Sequence, residues 1–360
     1  MTLFRVSRIS VAGTFLLFLA GSLKVSTIAA QNEPATAQES VQSLQVTAND
    51  EIAAGDVTGH YVHLHPLRSR AASRGRYEDP EIRYGNPQES SSDTETGPTS
   101  SSSALSTVPG VAAPGFYPAD LSNTKQGKVL TSAQSNNVYV NCAASCWGNP
   151  STFLSRLATS NFIHVTDEYV GATENNRYTE GTATSITTAL PAKLSPSNIL
   201  QLVHTAARAH GSGYDHVYHI FLRSGVDVCT SANVCYSPNN ASTFVFCAYH
   251  GSVDFQDIGH VLYSVEPYRN VRGCSVAQPS PNGALVDSTS STLSHELIET
   301  ITDPDGTAWF AQSSLPENGA EIGDVCESPF GTYGAFSISG KSYAIQPEYS
   351  NKFHACATTP

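Results

Sequence analysis

Apolar residues recur three and four positions apart between residues 293 and 301, which is the spacing of one face of an α-helix. The stripe consists of Leu293, Leu297, Ile298 and Ile301. Pro304 follows it, and because a proline disfavours helical backbone at the preceding residue, we predict that the helix ends near Asp303. The pattern therefore predicts a helix with one buried side and one polar side.

Short apolar runs bounded by turn residues precede this helix and predict strands. The clearest runs are 138–140, 216–222, 243–247 and 260–265. Alternation along the second of them places Val217, His219 and Phe221 on one face of a sheet.

Another helix is predicted after Ser195-Pro196, with the serine as its cap and Gly211 as its stop. Strands and helices together predict an α/β fold, in which helices pack on a mixed β-sheet within a single domain at residues 114–360. A sheet followed by a metal-bearing helix is also the order of elements in zinc peptidases of the zincin type, so a zincin-like layout is one expectation.

The first 30 residues have the pattern of a secretory signal peptide. Arg5 and Arg8 precede an apolar run at 11–20, and the small residues Ala29 and Ala30 follow it. The run is too short to span a bilayer, and no other long apolar run exists in the sequence. We therefore expect a secreted, extracellular protein without a transmembrane anchor.

Residues 31–113 are rich in Ser, Thr, Ala, Glu and Gln and poor in large apolar residues, which predicts a disordered Ser-rich linker or pro-segment. Within this segment His60, His63 and His65 lie close enough together to bind a metal ion. We favour the alternative, in which 60–66 is a short extended segment that packs on the domain or stays solvated.

All eight cysteines lie between Cys142 and Cys356, and an even number in an exported domain predicts disulfides. Short loops such as Cys142 to Cys146 and Cys229 to Cys235 are natural pairs, and the other pairings stay open. The formal net charge is −12, and the sequence has no basic cluster, so we expect no nucleic-acid partner.

The polar side of the 293–301 helix carries candidate metal ligands. His295 and Glu299 lie one turn apart, and the arrangement resembles the H-E-x-x-H helix of zinc peptidases, with a carboxylate in place of the second imidazole. In that chemistry His295 and Glu299 bind zinc, and Glu296 is the base that activates water. A further ligand is expected from Glu321 or Asp324.

Alternatives to this zinc site remain open. Oxygen ligands also suit calcium, and His295 and Glu299 can simply form hydrogen bonds on a solvated helix face. His250, just past a predicted strand, is a further ligand candidate, although a lone histidine is more often structural. The run Asp303-Pro304-Asp305-Gly306 matches a fragment of a calcium loop, but we predict a plain turn there.

Several motifs around this helix are similar to the EXORDIUM or phosphate-induced-protein family, in the form of its bacterial relatives. The matching runs are Leu293-Ser294-His295-Glu296, Asp303-Pro304, Ala308-Trp309-Phe310, Glu321-Ile322-Gly323-Asp324-Val325-Cys326-Glu327 and Phe246-Cys247-Ala248-Tyr249-His250-Gly251. The resemblance covers residues 130–360 and implies an extracellular protein, which in plants belongs to the cell wall. It implies no particular reaction.

Two functions follow from these features. The first is a secreted metal-dependent hydrolase, peptidase-like, with zinc as its cofactor and a peptide as its partner. The alternative is a non-catalytic extracellular or cell-wall-associated interaction protein that binds a glycan or a protein. In that alternative Trp147 and Trp309 would stack on sugars, and the His295 cluster would be structural or would hold calcium.

Overall fold

The computed structural model describes residues 41–45, 56–67, 120–172, 177–276, 279–311, 321–327 and 334–360. All of them belong to one compact unit, Gln38–Pro360. The unit combines helices with a large mixed sheet, which confirms the predicted single α/β domain. The predicted signal peptide lies outside the described residues.

An eight-stranded sheet forms the centre of the domain. Its strands, in chain order, are β1 (Val41–Gln45), β2 (Val57–Pro66), β4 (Ala133–Val140), β5 (Tyr178–Glu180), β6 (Ala183–Thr187), β8 (Gly213–Leu222), β11 (Phe246–Phe255) and β12 (Gly259–Glu266). They lie in the order β1-β6-β4-β8-β12-β11-β2, with β5 beside β4. Neighbours from β1 to β12 are parallel, whereas β11 is antiparallel to both β12 and β2.

The remaining strands form small sheets around this centre. They are β3 (Leu121–Ser122), β7 (Lys193–Leu194), β9 (Asp227–Ser231), β10 (Val234–Tyr236), β13 (Phe310–Ala311), β14 (Gly334–Ile338), β15 (Lys341–Ile345), β16 (Glu348–Ser350) and β17 (Ala355–Ala357). The pairs β14–β15 and β16–β17 are hairpin-like and antiparallel.

Helices cover both faces of the central sheet. The described α-helices are α1 (Pro150–Ala158), α2 (Asp167–Val170), α3 (Pro196–His210) and α4 (Ala284–Thr302). Helix α3 begins as predicted, with the Ser195 side chain accepting a hydrogen bond from the Asn198 backbone, and it stops at Gly211, whose φ is 120°. Its apolar stripe packs with Tyr218 and Ile220 on one face of β8.

Helix α4 lies on the opposite face, where it packs against Val217 and Phe221 of the same strand. It ends at Thr302, as Pro304 predicts. The expectation of a half-exposed helix is wrong, because every residue from Asp287 to Thr302 is buried. Strands β11 and β12 of the sheet cover one side of the helix, and β15 together with α1 and α2 covers the others.

The expectation that residues 31–113 are unstructured is wrong for the parts of that segment that the structure describes. Strand β1 pairs with β6 at one edge of the central sheet, and β2 pairs with β11 at the other. A segment with few large apolar residues can be ordered in this way because main-chain hydrogen bonds to a sheet edge do not depend on side-chain type. Most of β2 is buried.

Four disulfides cross-link the domain, and together they include all eight cysteines. The bonds are Cys142–Cys146, Cys229–Cys235, Cys247–Cys274 and Cys326–Cys356. The first two confirm the short pairs expected from the sequence. Among the residues that the structure describes, no helix is both long enough and apolar enough to cross a membrane.

Candidate metal centre

One row of polar side chains crosses the central sheet on the face that α4 covers. In the strand register Asn137 lies opposite His219, then Ser264, then His250, and finally His63 on the edge strand β2. Because side chains alternate between the two faces of a strand, His65 and Tyr61 project to the same side as His63. The edge of the sheet nearest β2 therefore presents several imidazoles to the helix above it.

Helix α4 places three polar groups directly over this row. His295, Glu296 and Glu299 are all 0% exposed. Leu297 and Ile298 of the same helix lie in the apolar core and anchor it there. The amphipathic register that the sequence predicts is present, but its polar side faces the interior of the domain and not solvent.

A third element, the segment 321–327, brings carboxylates to the same place. The Asp324 backbone N–H donates to Glu299 Oε1 at 3.2 Å, and the Cys326–Cys356 disulfide fastens the end of the segment. Gly323 is packed so closely that a Cβ atom there would lie 2.4 Å from His295 Nδ1. Any side chain at this position would push the segment away from the helix.

His295, Glu299 and Asp324 form the part of the cluster that the sequence anticipates. His295 Nε2 lies 3.0 Å from Glu299 Oε2 and 3.6 Å from Asp324 Oδ1. The Gln346 side-chain amide lies 3.2 Å from His295 Nδ1, so Nε2 is the ring nitrogen that faces the carboxylates. His63 joins the group, with Nε2 2.5 Å from Asp324 Oδ2.

Glu296 lies between two further imidazoles. Its carboxylate oxygens are 3.5 Å from His65 Nδ1 and 3.4 Å from His250 Nδ1. His250 Nδ1 is also 3.5 Å from Glu299 Oε2, which links this half of the cluster to the first half. His250, a minor candidate from the sequence, is thus at the centre of the site.

Asp324 and Glu321, the two candidates for the additional ligand, lie in different parts of the cluster. Asp324 is beside His295 and Glu299. Glu321 Oε1 accepts a hydrogen bond of 2.9 Å from the Tyr61 hydroxyl, and its other oxygen is 3.7 Å from His250 Nε2. Both carboxylates therefore belong to the cluster, and Asp324 is the one beside the His295–Glu299 pair.

Many buried polar atoms in the cluster make no well-directed hydrogen bond among the described residues, although several lie at ion-pair distance from one another. They include His250 Nδ1 and Nε2, His295 Nε2, both oxygens of Glu296, Glu299 Oε2, Glu321 Oε2, Asp324 Oδ1 and both oxygens of Glu348. A buried polar atom without a partner costs about 1 to 3 kcal/mol, and a charged one costs more. So many in one place make this cluster a candidate site for a cation, which would offset that cost.

The charges of the cluster point to a cation. Burial by itself lowers the pKa of His250, but Glu321, Glu296 and Glu299 outweigh that effect and raise the pKa to about 10. Burial and the neighbouring Glu299 charge raise the pKa of Asp324 to about 6. Both pKa shifts indicate that the carboxylates around these two groups favour an added positive charge, either a proton or a metal ion.

The nearby Arg269 guanidinium is bound to Glu266 and to the Cys247 carbonyl, and its charge also acts on Glu296. The donor set fits a metal ion. Three overlapping groups have ligand atoms within 4.8 Å of one another: His65, His295 and Glu296; His63, Glu299 and Asp324; His250, Glu296 and Glu299. The mixture of imidazole nitrogen and carboxylate oxygen is typical of zinc and related transition metals, whereas calcium takes oxygen ligands.

Residues 60–66 lie in β2, an extended strand that packs on the domain, as we favoured. Two of its three histidines, His63 and His65, are nevertheless within the cluster. His60 lies away from it, beside Tyr263. The alternation in His-Tyr-Val-His-Leu-His is the signal that could have indicated the shared face. Glu348, which contributes another buried carboxylate, carried no such signal.

Contacts elsewhere in the domain bear on two other expectations. Trp147 cannot stack on a sugar, because it is 1% exposed and packs against Tyr139 and Phe221. In the turn after α4, Asp303 Oδ1 accepts hydrogen bonds from the Thr307 and Ala308 backbone, and the plain turn stays a prediction.

Comparisons with protein-family models, with curated proteins and with solved structures found no match. What can be inferred about function therefore comes from the site itself.

Proposed function

We propose that this chain is a metal-dependent hydrolase, peptidase-like, that uses a zinc ion held by His295, Glu299 and Asp324, with Glu296 as the general base. The observation that supports it is the convergence of imidazoles and carboxylates, many without hydrogen-bond partners, in the interior of the domain. A bound zinc ion would supply a water of lowered pKa and would polarise a substrate carbonyl.

Each residue has a distinct part in this proposal. His295 and Glu299 are one turn apart on a rigid helix, and Asp324 is fastened to that helix by its backbone hydrogen bond to Glu299. Burial raises the pKa of Glu296, but contacts with His250 and His65 outweigh it and lower the pKa to about 2. Glu296 is thus ionised at neutral pH.

We also propose that the protein is secreted. Four disulfides are typical of an exported domain, and the amino-terminal pattern of residues 1–30 agrees with export. The resemblance of residues 290–327 to the EXORDIUM family supports the same location. The zincin-like order of sheet and helix supports the peptidase-like chemistry by analogy only.

The test is elemental analysis of the purified protein by mass spectrometry. We expect near-stoichiometric zinc in the wild type and none in the His295→Ala, Glu299→Ala double variant. A matched control is the double variant His204→Ala, Asp257→Ala, which removes a histidine–carboxylate pair of 2.9 Å outside the cluster and should leave the zinc in place. The absence of any metal in the wild type would overturn the proposal.

A second candidate is a non-catalytic extracellular protein with a structural ion at this centre. The observation that favours it is the burial of the cluster, since closed sites are typical of structural metals. Calcium in the elemental analysis, or zinc without any hydrolysis of peptides, would favour this candidate. Its partner, a glycan or a protein, would then bind elsewhere on the surface, and Trp147 would not take part.

A further inference from the structure

Two buried histidines, His63 and His250, form a cross-strand pair that the proposed zinc site does not use. They lie directly opposite each other on the neighbouring strands β2 and β11, and their ring centroids are 5.3 Å apart. Residues directly opposite each other project from the same face of a sheet, so both imidazoles face helix α4. What the two nitrogens of each ring contact there differs.

One nitrogen of each ring is directed at Glu321. His63 Nδ1 lies 3.3 Å from Glu321 Oε1, and His250 Nε2 lies 3.7 Å from Glu321 Oε2. Donor atoms that share a metal ion at bonds of about 2.0 to 2.2 Å are roughly 3 to 4 Å apart, so both distances fit a shared ion. His250 Nε2 and Glu321 Oε2 are buried and make no well-directed hydrogen bond among the described residues.

The other nitrogen of each ring faces a carboxylate that belongs to the first site. His63 Nε2 is 2.5 Å from Asp324 Oδ2. His250 Nδ1 is 3.4 Å from Glu296 Oε2 and 3.5 Å from Glu299 Oε2. Histidines that bind a metal ion commonly do so with one nitrogen, while the N–H of the other nitrogen donates to a carboxylate. Both rings have this arrangement around Glu321.

Glu321 itself is held in place by hydrogen bonds. The Tyr61 hydroxyl donates to Glu321 Oε1 at 2.9 Å, and the Glu321 carbonyl oxygen accepts from the Val325 backbone N–H at 3.2 Å. The Cys326–Cys356 disulfide fastens the same segment. A carboxylate that binds a metal ion is typically oriented by such hydrogen bonds, so Glu321 is positioned between the two imidazoles before any ion binds.

The balance of charge favours more than one cation in the cluster. Six of its carboxylates are no more than 1% exposed: Glu296, Glu299, Glu321, Asp324, Glu327 and Glu348. A single divalent ion offsets two negative charges, and an uncompensated buried carboxylate is costly. Burial raises the pKa of Glu321 well above its ordinary value, and the negative charges of Asp303 and Glu299 add to that effect against the two histidines. A cation at Glu321 would take the place of this proton.

We propose that His63, His250 and Glu321 bind a second divalent metal ion beside the proposed zinc. The inference goes beyond the proposed function, which uses a single ion. Two imidazole nitrogens and one carboxylate suit zinc and related transition metals, whereas calcium and magnesium take oxygen ligands. Because two cations repel each other at short distance, the second ion binds more weakly than the first, and it is therefore added in excess for the test.

The test is a titration of the metal-free protein with Co²⁺, whose visible absorption changes as each ion is bound by the protein. We expect the wild type to take up two equivalents, the second more weakly than the first. Glu321→Gln keeps the shape of the side chain and an acceptor for the Tyr61 hydroxyl, but it removes the charge. This variant should bind the first equivalent unchanged and the second at least about 100-fold more weakly.

Two further substitutions on β2 complete the test. Tyr61→Phe removes the hydroxyl that orients Glu321 and should weaken only the second equivalent, by about tenfold. It gives an independent answer where Glu321→Gln does not fold. His60→Ala is the matched control, because it removes a histidine of the same strand that lies beside Tyr263, away from the cluster. This control should keep both equivalents.

The possible outcomes separate this inference from the hydrolase proposal. A wild type that takes up one equivalent at any excess of Co²⁺ would overturn the second site and leave the zinc site standing. Two equivalents of unchanged affinity in both Glu321→Gln and Tyr61→Phe would also overturn it, as would loss of both ions together in either variant. Uptake of no metal would refute both proposals. The His295→Ala, Glu299→Ala variant disrupts both sites, because Glu299 also contacts His250.

Discussion

Helices α3 and α4 lie on opposite faces of the same sheet, and they differ in what they bury. Helix α3 buries an apolar stripe and has basic residues, Arg208 and His210, in its last turn. Helix α4 is buried throughout from Asp287 onward, although much of it is Ser, Thr, Glu and His. Burial of apolar residues stabilises a fold by itself, whereas burial of carboxylates needs a compensating partner. The α4 face is therefore where a ligand is expected.

Two histidines of the same polar row show this contrast most clearly. His219 forms hydrogen bonds of 2.9 Å with Ser135 and 2.8 Å with Ser264, and burial lowers its pKa to about 3. His250 is equally buried, but the carboxylates around it raise its pKa to about 10. A buried histidine among hydroxyl groups is thus a neutral residue, and one among carboxylates belongs to a candidate cation site.

The largest effect should come from Glu296→Gln, which removes the proposed base but keeps the shape of the side chain. We expect peptide hydrolysis to fall by about 10² to 10⁴-fold, with zinc content unchanged. The measurement is the initial rate on a quenched-fluorescence peptide library, beside elemental analysis. Glu180→Gln, at the exposed end of strand β5, is the control and should keep full activity. Undiminished hydrolysis in Glu296→Gln would exclude this residue as the base.

Removal of the metal should have the next largest effect. Chelation leaves Glu299, Asp324 and their neighbours without a compensating charge. If the free metal concentration is about 1,000 times Kd, the lost stabilisation is about 4 kcal/mol. For a domain of this size that corresponds to a fall in Tm of about 8 to 16 °C. Chelation should not lower the Tm of the His295→Ala, Glu299→Ala variant any further. Equal falls in Tm in both proteins would show that the effect does not arise at this site.

The His219 environment makes a prediction for stability against pH. The folded pKa of His219, about 3, lies below the ordinary value of 6.5, so between these values the unfolded chain binds the proton and the folded chain does not. The contribution of neutral His219 to the free energy of unfolding is therefore present above pH 6.5 and is lost as the pH falls. Between pH 7 and pH 5 the loss is about 2 kcal/mol.

The measurement for His219 is urea denaturation at several pH values. His219→Gln should flatten the acid side of the stability curve by about 2 kcal/mol relative to the wild type. Both proteins contain every other titrating group, so the difference between their stability curves reports His219 alone. Parallel curves for the two proteins would show that His219 is not the neutral, desolvated residue described above.

The smallest effect is expected at the cap of α3. The Ser195 side chain satisfies the backbone N–H of Asn198, and Ser195→Ala should lower the free energy of unfolding by about 1 kcal/mol. Zinc content should not change, because α3 lies on the face away from the cluster. The matched control is Ser155→Ala, at an exposed interior position of helix α1. Loss of zinc in Ser195→Ala would show that the two faces of the sheet are not independent of each other.

Local features of this protein are determined by the sequence alone. The cap at Ser195, the strand around Val217 and the end of α4 at Thr302 all follow from neighbouring residues. The spacing of His295 and Glu299 likewise places them one turn apart, whatever surrounds the helix. Such features depend on backbone preferences and on contacts across a few residues, which a single sequence expresses directly.

The composition of the candidate site was decided by the tertiary structure. His63, His250 and Asp324 come from three distant stretches of the chain, and strand register together with the Cys326–Cys356 bond brings them to one place. The burial of α4 has the same origin, because the elements that cover its polar side are far from it in sequence. Periodicity shows that a helix has two sides, but only long-range packing determines that both sides of α4 are buried.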